Sequence, residues 1–304
     1  MPNNLCSDLF TSYPRDRSVT ETWQALHTRH SRNFRDNKFV YPVLSRRSRG
    51  ISIGVNLNPD KVCNFDCVYC QVDRRSEATT TFVETDRLLQ EVDHMLSFVS
   101  SGDIFKEPEF SGVPPERQRL NDVAFSGDGE PTSFRNFDAL IETVAGLKRQ
   151  HALPEVKLVL ITNASLFHRP VVERGLQILD RNNGEIWAKL DAGTDAYYQT
   201  IERTKIPFRR VLDNITAAAK VRPIVIQSLF LRLNGVPPDQ HEIDEYCRRL
   251  QETVAAGGQI RLVQVYTVAR PPAESYVTPL TAGELEAIAR QVCELGLPAE
   301  VYAA

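Results

Sequence analysis

The sequence has little that would place it in a membrane, on a nucleic acid or outside the cell. Its 304 residues contain no apolar run approaching the roughly 20 residues that a membrane helix needs. The N-terminus lacks the basic and apolar regions of a signal peptide. The net charge is only −3, and the pI of about 6.1 is well below the values above about 9 that are typical of nucleic-acid-binding domains. We therefore expect a cytoplasmic protein whose cysteines stay reduced.

Cysteine is scarce, yet three of the six cysteines fall within eight residues: Cys63, Cys67 and Cys70. Thiolates at i, i+4 and i+7 can converge if the chain loops tightly and then turns, and soft thiolates select zinc or iron–sulfur clusters. No second pair of cysteines or histidines follows at the spacing that closes a structural zinc site. A [4Fe–4S] cluster held by three cysteines would instead leave one iron open for a small ligand. The other cysteines are Cys6 in the N-terminal segment and Cys247 and Cys293, which we expect in the core on apolar helix stripes.

The spacing C-x3-C-x2-C, with the aromatic Tyr69 just before the last cysteine, resembles the signature of the radical S-adenosylmethionine (radical SAM) enzymes. The resemblance implies a [4Fe–4S] cluster on Cys63, Cys67 and Cys70, whose open iron chelates S-adenosylmethionine. It also implies reductive cleavage of that cofactor to a 5′-deoxyadenosyl radical, which abstracts hydrogen from a substrate that the sequence does not identify. An electron donor of the flavodoxin or ferredoxin type would then be a partner.

From Gly50 onward, short apolar strands alternate with amphipathic helices, which is the βα pattern. The predicted strands are Ile51–Asn56, Asp122–Ser126, Lys157–Thr162, Ile186–Asp191, Ile224–Phe230 and Ile260–Thr267. Helices are expected around Leu88–Val99, Leu140–Leu147, Val171–Leu179, Phe208–Lys220, Asp239–Thr253 and Thr281–Leu295. Six parallel βα units predict an α/β fold, a three-quarter βα barrel over residues 46–304, which the resemblance also implies. Residues 1–45 are interpreted as a partly basic N-terminal extension, and Gly102–Asn121 as a flap over the site or a surface insertion.

In such a barrel, the residues after the carboxyl ends of the strands carry the chemistry. After the second predicted strand comes Gly127-Asp128-Gly129-Glu130, where two glycines let the backbone approach a ligand. This turn resembles the glycine–glutamate motif of radical SAM enzymes, which implies that Gly129 and Glu130 hold the methionyl amine and that Gly127 belongs to the same cofactor site. The alternative is an ordinary acidic turn that caps the next helix.

Polar residues at the later strand ends complete the candidate cofactor site. The resemblance implies that Asn163 contacts the methionyl carboxylate and ribose, that Asp191 binds the ribose, and that Tyr266 contacts adenine. Gln227 is a polar break in an apolar strand and is assigned to the same site. Asn163 could equally be a local turn former. Lys189 shares a strand face with Asp191 and either pairs with it or points to substrate.

The segment between Arg29 and Arg49 carries seven basic residues against one acidic residue. It could contact the phosphates of RNA, or it could be a solvated segment beside the barrel, the interpretation that we favour. From Leu44 to Val301 the chain looks closest to bacterial radical SAM proteins related to the tRNA wyosine-base synthases. Those synthases carry further upstream cysteines for a second cluster, and here Cys6 is the only upstream cysteine. A wyosine-type tRNA-base modifying enzyme and a non-catalytic zinc or iron–sulfur module therefore remain as alternatives.

Overall fold

A computed structural model describes residues 34–303 and shows one large sheet of eight strands with helices on its outer face. The sheet order is β1-β2-β3-β4-β5-β6-β8-β10. The strands span Val40–Ser45 (β1), Gly50–Val55 (β2), Leu120–Phe125 (β3), Lys157–Thr162 (β4), Gly184–Lys189 (β5), Ile224–Leu229 (β6), Ile260–Tyr266 (β8) and Ala299–Tyr302 (β10). Two short strands, Leu231–Leu233 (β7) and Val277–Pro279 (β9), pair separately.

Strands β2 to β6, β8 and β10 run parallel, and β1 pairs antiparallel with β2 at one edge. The two edges of the sheet approach each other, since Arg46 after β1 donates a 2.9 Å hydrogen bond to the carbonyl of Ala303 after β10. The sheet therefore curls into an open, partial barrel. The predicted α/β partial barrel is confirmed.

Seven helices lie between the strands of the described chain. They span Thr85–Ser100 (α1), Phe137–Gln150 (α2), Pro170–Arg181 (α3), Asp195–Glu202 (α4), Phe208–Val221 (α5), Gln240–Ala255 (α6) and Ala282–Glu294 (α7). Short 3₁₀ helices occupy Asp103–Lys106, Pro115–Arg117 and Pro131–Ser133. The long helices are amphipathic, and α1 buries one stripe against the sheet: Leu88, Val92, Met95, Leu96 and Val99. Strands β2 and β6 are buried along their whole length, as expected for parallel strands covered on both faces.

All six predicted strands are present within two residues of their expected ends. The sheet has two strands more than predicted. Strand β1 contains Pro42, which has no N–H to donate and is accommodated because β1 lies at a sheet edge. Strand β10 has only four residues, too few for a clear pattern.

Three further predictions concern the segments outside the parallel strands. Residues 1–33, including Cys6 and the start of the basic segment, lie outside the described residues, so the domain boundary at residue 45 stays a prediction. The connection Gly102–Asn121 leads into the amino end of β3, and none of its residues lines the cavity described below, so it is not a flap over that cavity. Between residues 34 and 303, no helix combines the length and apolar character that a membrane span requires.

Candidate functional site

A cavity of about 350 Å³ opens at the carboxyl ends of the parallel strands. It is lined by the three clustered cysteines and by most of the predicted cofactor-binding residues: Cys63, Cys67, Cys70, Tyr69, Gly127, Gly129, Glu130, Asn163, Gln227 and Tyr266. Asp191 is the one predicted site residue that does not line it. The fold thus gathers residues from five separate chain segments at one place.

The cysteine loop, residues 56–84, follows β2 and is anchored on helix α4. The amide of Asp66 donates to the carbonyl of Glu202 at 3.1 Å, and the amide of Val68 donates to the carbonyl of Ile201 at 2.8 Å. The ring of buried Phe65 makes an edge contact with Tyr198 of the same helix. The amide of Cys70 donates to the carbonyl of Cys67 at 3.0 Å and forms the expected tight turn. The backbone that carries the thiols is therefore fixed by the end of one helix.

The three thiols are free and half-buried, and each has a different polar neighbour. The Cys67 thiol donates to Oε2 of Glu202 at 2.6 Å, and a nitrogen of Arg74 lies 3.6 Å from the sulfur of Cys70. Burial raises the pKa of the Cys63 thiol. Burial, together with the negative charge of Glu202, raises the pKa of the Cys67 thiol well above its usual value. In this arrangement Cys63 and Cys67 favour the protonated state.

The three cysteine side chains are not placed to hold one metal ion between them. Among residues 34–303, no group of three or more His, Cys, Asp or Glu side chains is placed to hold one metal ion. A zinc ion requires every ligand atom within about 2.3 Å of it, whereas the thiolates of an iron–sulfur cluster bind different irons and stand farther apart. The described cavity wall contains three cysteines, no fourth cysteine and no histidine. This donor set fits a cluster with one iron free of protein ligands better than it fits zinc.

Gly127 and Gly129 are required by protein packing at this site. A Cβ on Gly127 would lie 2.2 Å from Oδ1 of Asn56, and a Cβ on Gly129 would lie 2.2 Å from the carbonyl oxygen of Val62. Asn56 in turn accepts from the amide of Asp128 at 3.1 Å and donates to its carboxylate at 2.7 Å. Because the two glycines have no side chain, the segment after β2, which includes the cysteine loop, can pack closely against the turn after β3.

Glu130 is buried at the base of the cavity and is already rich in hydrogen bonds. Its Oε1 accepts from the amide and hydroxyl of Thr132 and from the hydroxyl of Thr162, and its Oε2 accepts from the amide of Asn163 at 2.8 Å. Burial raises the pKa of Glu130, and these donors oppose that rise. Oε2 has a single donor among the described residues, so it can accept one more hydrogen bond. Glu130 also caps the 3₁₀ helix after it, which was the alternative role predicted for it.

Asn163 shapes a local turn. Its Oδ1 accepts from the amide and the hydroxyl of Ser165, which is an Asx turn, and its Nδ2 donates to Oδ1 of Asn64 at 2.8 Å. The side chain therefore ties the end of β4 to the cysteine loop. Its predicted contact with a cofactor stays a prediction.

A buried polar network lies beneath the cysteine loop. The Tyr69 hydroxyl donates to the carboxylate of Asp191 and lies 3.0 Å from Oε1 of Glu202. Asp191 also accepts from the amide of Leu229 at 2.7 Å and pairs with Lys189 at 3.0 Å. Burial and the negative charge of Asp191 raise the pKa of Glu202 to about 8. The carboxylate of Asp191 is thus occupied by protein groups, and its predicted ribose contact remains untested.

Sequence reasoning missed Glu202, although its side chain contacts both Cys67 and Tyr69. The residue ends α4, a helix of eight residues that the sequence pattern did not reveal. The contact with Cys67 spans 135 residues of chain. No local signal in the sequence therefore identifies Glu202 as a neighbour of Cys67.

Gln227 and Tyr266 lie on the cavity wall contributed by β6 and β8. Gln227 donates to Oε1 of Gln264 at 3.1 Å, and the Tyr266 hydroxyl accepts from Lys189 at 2.8 Å. The predicted pairing of Lys189 with Asp191 is therefore present. Lys189 also donates to the hydroxyl of Tyr266, the residue predicted to contact adenine.

Comparisons with known proteins identify relatives of this sequence and fold. No family model matches the chain. It is 26% identical over 240 residues to a UPF0026 protein of Methanocaldococcus jannaschii. The aligned residues make up 78% of this chain and 65% of that protein. It is 27% identical over 142 residues to a UPF0026 protein of Helicobacter pylori, covering 46% of this chain and 39% of that protein. The chain spans between 23% and 65% of the length of these and the other curated relatives that it matches.

Among solved structures, the chain is similar to a radical SAM methyltransferase from Sphaerobacter thermophilus, with a TM-score of 0.60 and 11% sequence identity. The superposition covers 87% of this chain and 69% of that one. At this identity the likeness concerns the fold. The described chain therefore shares its partial-barrel fold with that radical SAM methyltransferase, which agrees with the resemblance drawn from the cysteine motif.

Proposed function

We propose that this protein is a radical SAM enzyme that holds a [4Fe–4S] cluster through Cys63, Cys67 and Cys70 and binds S-adenosylmethionine in the adjoining cavity. When bound, the reduced cluster would supply the electron that breaks the sulfonium bond, so that the adenosyl fragment can take hydrogen from a substrate. The substrate, the electron donor and the cytoplasmic location stay predictions.

One observation carries the proposal. Three free thiols from one loop and the Glu130 turn line the same cavity at the carboxyl ends of a partial βα barrel. That end is where barrel enzymes place their catalytic groups. Three thiolates without a fourth Cys or His on the described wall are the donor set expected of a cluster that keeps one iron for a small ligand.

The residues around the loop have defined tasks in this proposal. Anchoring on α4 would hold the thiols in place, since two backbone hydrogen bonds fix the loop between Asp66 and Val68. A thiol must lose its proton before it binds iron. For Cys67, the thiol is hydrogen-bonded to Oε2 of Glu202 at 2.6 Å, so Glu202 in its ionised form is positioned to accept that proton. The remaining acceptor position on Oε2 of Glu130 would suit the ammonium group of S-adenosylmethionine.

The test is anaerobic reconstitution of the full chain with iron and sulfide, followed by metal analysis and incubation with S-adenosylmethionine and dithionite. We expect about four irons and four sulfides per chain and formation of 5′-deoxyadenosine. Cys63→Ala should lose both. Cys247→Ala is the matched control, because Cys247 is also a free thiol but is buried in α6 away from the cavity. It should retain iron and product at wild-type levels.

Zinc in place of iron and sulfide in the anaerobically prepared protein would contradict the proposal and favour the non-catalytic zinc module. Equal iron loss in Cys63→Ala and Cys247→Ala would show that the site lies elsewhere. The tRNA-modifying alternative predicts RNA binding that weakens steeply with salt. Charge reversal at Arg46, Arg47 and Arg49 together should abolish such binding, and no loss would remove this alternative.

A further inference from the structure

The turn between β1 and β2, residues 46–49, closes the gap between the two edges of the open sheet. Arg46 bonds to the carbonyl of Ala303 beyond β10. The guanidinium of Arg47 lies over the ring of Tyr266, 4.4 Å from its centroid, and 5.6 Å from the centroid of Tyr302. Arg47 and both tyrosines line the cavity. A stacked cation therefore forms part of the cavity wall, on a different segment from the cysteine loop.

Arg47 has hydrogen-bond donors that no described residue uses. Its Nε is buried and has no hydrogen-bond acceptor among the described residues. A buried donor left without a partner destabilises the folded protein. Stacking against a ring engages the face of a guanidinium and leaves the N–H groups along its edge able to donate. The site therefore has donor capacity that an acceptor in the cavity could use.

Two of the other cations on the cavity wall, Lys189 and Arg74, already make hydrogen bonds to protein groups. Lys189 pairs with Asp191 and donates to the Tyr266 hydroxyl. Arg74 donates to the carbonyl of Lys61 at 3.0 Å and contacts the sulfur of Cys70. In this set of three, Arg47 alone makes no hydrogen bond to a described residue.

We propose that Arg47 binds an oxyanion group of the substrate, a phosphate or a carboxylate, and so fixes the substrate of the proposed enzyme as an anionic small molecule. The inference rests on the proposed function, because it assigns the substrate class of the same cavity. The planar fork of arginine suits two parallel hydrogen bonds to either oxyanion. A small ligand is favoured over an RNA backbone because Arg47 is half-buried and stacked in the cavity, whereas Arg49 of the same turn is exposed.

The test is thermal unfolding of the full chain at constant ionic strength, titrated with inorganic phosphate and separately with acetate. A ligand that binds the folded state raises the melting temperature, and the dependence on concentration gives its Kd. We expect at least one probe to bind the wild type, and which of the two binds more tightly distinguishes phosphate from carboxylate. Arg47→Gln should weaken that binding at least tenfold. Arg47→Lys keeps the charge but loses the fork, and should weaken it less.

Arg49→Gln is the matched control and should change the Kd less than twofold, since it removes a charge of the same turn outside the cavity. Equal Kd values for wild type and Arg47→Gln would overturn the inference, as would the failure of both probes to bind. An equal loss in Arg49→Gln would indicate surface attraction of the kind that an RNA backbone uses. Circular dichroism of each variant separates lost binding from lost folding.

The anion probe and S-adenosylmethionine could also compete for Arg47. Binding of the probe should persist at saturating S-adenosylmethionine, and its disappearance would mean that Arg47 serves the carboxylate of the cofactor instead. The readout requires neither turnover nor electrons. Absent 5′-deoxyadenosine would therefore contradict the proposed function, whereas unchanged anion binding in Arg47→Gln would contradict this inference alone.

Discussion

The ammonium group of Lys189 lies 3.0 Å from the carboxylate of Asp191, and the two side chains share one face at the end of β5. The Asp191 side chain is fully buried and that of Lys189 is 19% exposed. Although burial disfavours the charged lysine, the adjacent carboxylate holds the pKa of Lys189 above its usual value. The pair places two opposite charges beside the cavity with little water to screen them.

Removal of one member of this pair should be strongly destabilising. Asp191→Ala leaves the buried ammonium without its counter-charge, and we expect the free energy of unfolding to fall by about 3–5 kcal/mol. Urea denaturation followed by circular dichroism measures the change. The matched control is Asp213→Ala, which breaks the exposed pair between Arg209 and Asp213 and should cost less than about 1 kcal/mol. Similar losses in the two variants would contradict the role assigned to the buried pair.

Substitution of Gly129 should displace the cysteine loop. In Gly129→Ala the new methyl group would lie 2.2 Å from the carbonyl oxygen of Val62, so the loop or the turn must shift. We expect a loss of about 1–3 kcal/mol, as in other overpacked sites, together with weaker iron retention after reconstitution. Denaturant unfolding and iron analysis provide the two measurements.

Gly146→Ala is the control for that experiment. Gly146 lies within helix α2, and its added methyl group would meet no atom closer than 3.8 Å. Alanine is favoured over glycine in a helix by about 0.5–1 kcal/mol, so this variant should be more stable than the wild type. If both glycine variants behaved alike, the packing of the turn against the cysteine loop would not be the cause.

The sequence was sufficient to predict the parallel strands, because each is an apolar run followed by an amphipathic helix. Strand β4 occupies the residues that the pattern indicated, Lys157–Thr162. The cysteine spacing and the polar residues at strand ends were equally visible, since these signals are local. Strand β1 was not recognised because Pro42 and the surrounding basic residues resemble an irregular extension.

Long-range contacts explain what the sequence could not reveal about the site. Glu202 reaches Cys67 only after the chain has passed through three strands and three helices, and Arg47 reaches Tyr266 across the opening of the sheet. The pattern marked residues around Arg47 as basic without showing which of them enters the cavity. Asp191 was recognised as polar at a strand end, but its position beneath Tyr69 depends on how the cysteine loop packs.

Asp122 should make stability depend on pH. It lies buried in β3 with Ser52 as a hydrogen-bond donor, and burial raises its pKa from 3.8 to about 6. The folded protein therefore retains a proton that the unfolded chain releases at lower pH. This contribution to stability is complete below about pH 4 and is lost as the pH rises through about 6.

In Asp122→Asn the side chain is neutral at every pH and still offers an oxygen to Ser52. A carboxyl whose pKa moves from 3.8 to about 6 on folding costs the folded state about 3 kcal/mol at neutral pH. We therefore expect the variant to exceed the wild type by up to about 3 kcal/mol at pH 7 and to match it near pH 4. Urea unfolding at both pH values measures the difference, and a difference that did not change with pH would contradict the explanation.

The hydroxyl of Tyr69 links the two buried carboxyl groups beneath the cysteine loop. It donates to Asp191, and Oε1 of Glu202 lies 3.0 Å from the same oxygen. Tyr69→Phe removes this link and leaves both carboxyl groups short of one partner. We expect a loss of about 1–3 kcal/mol in the free energy of unfolding.

Tyr41→Phe is the control, since the Tyr41 side chain is equally buried and its hydroxyl bonds to no described residue. That variant should change stability by less than about 0.5 kcal/mol, and a matching loss would mean that the ring environment, rather than the hydroxyl of Tyr69, is responsible.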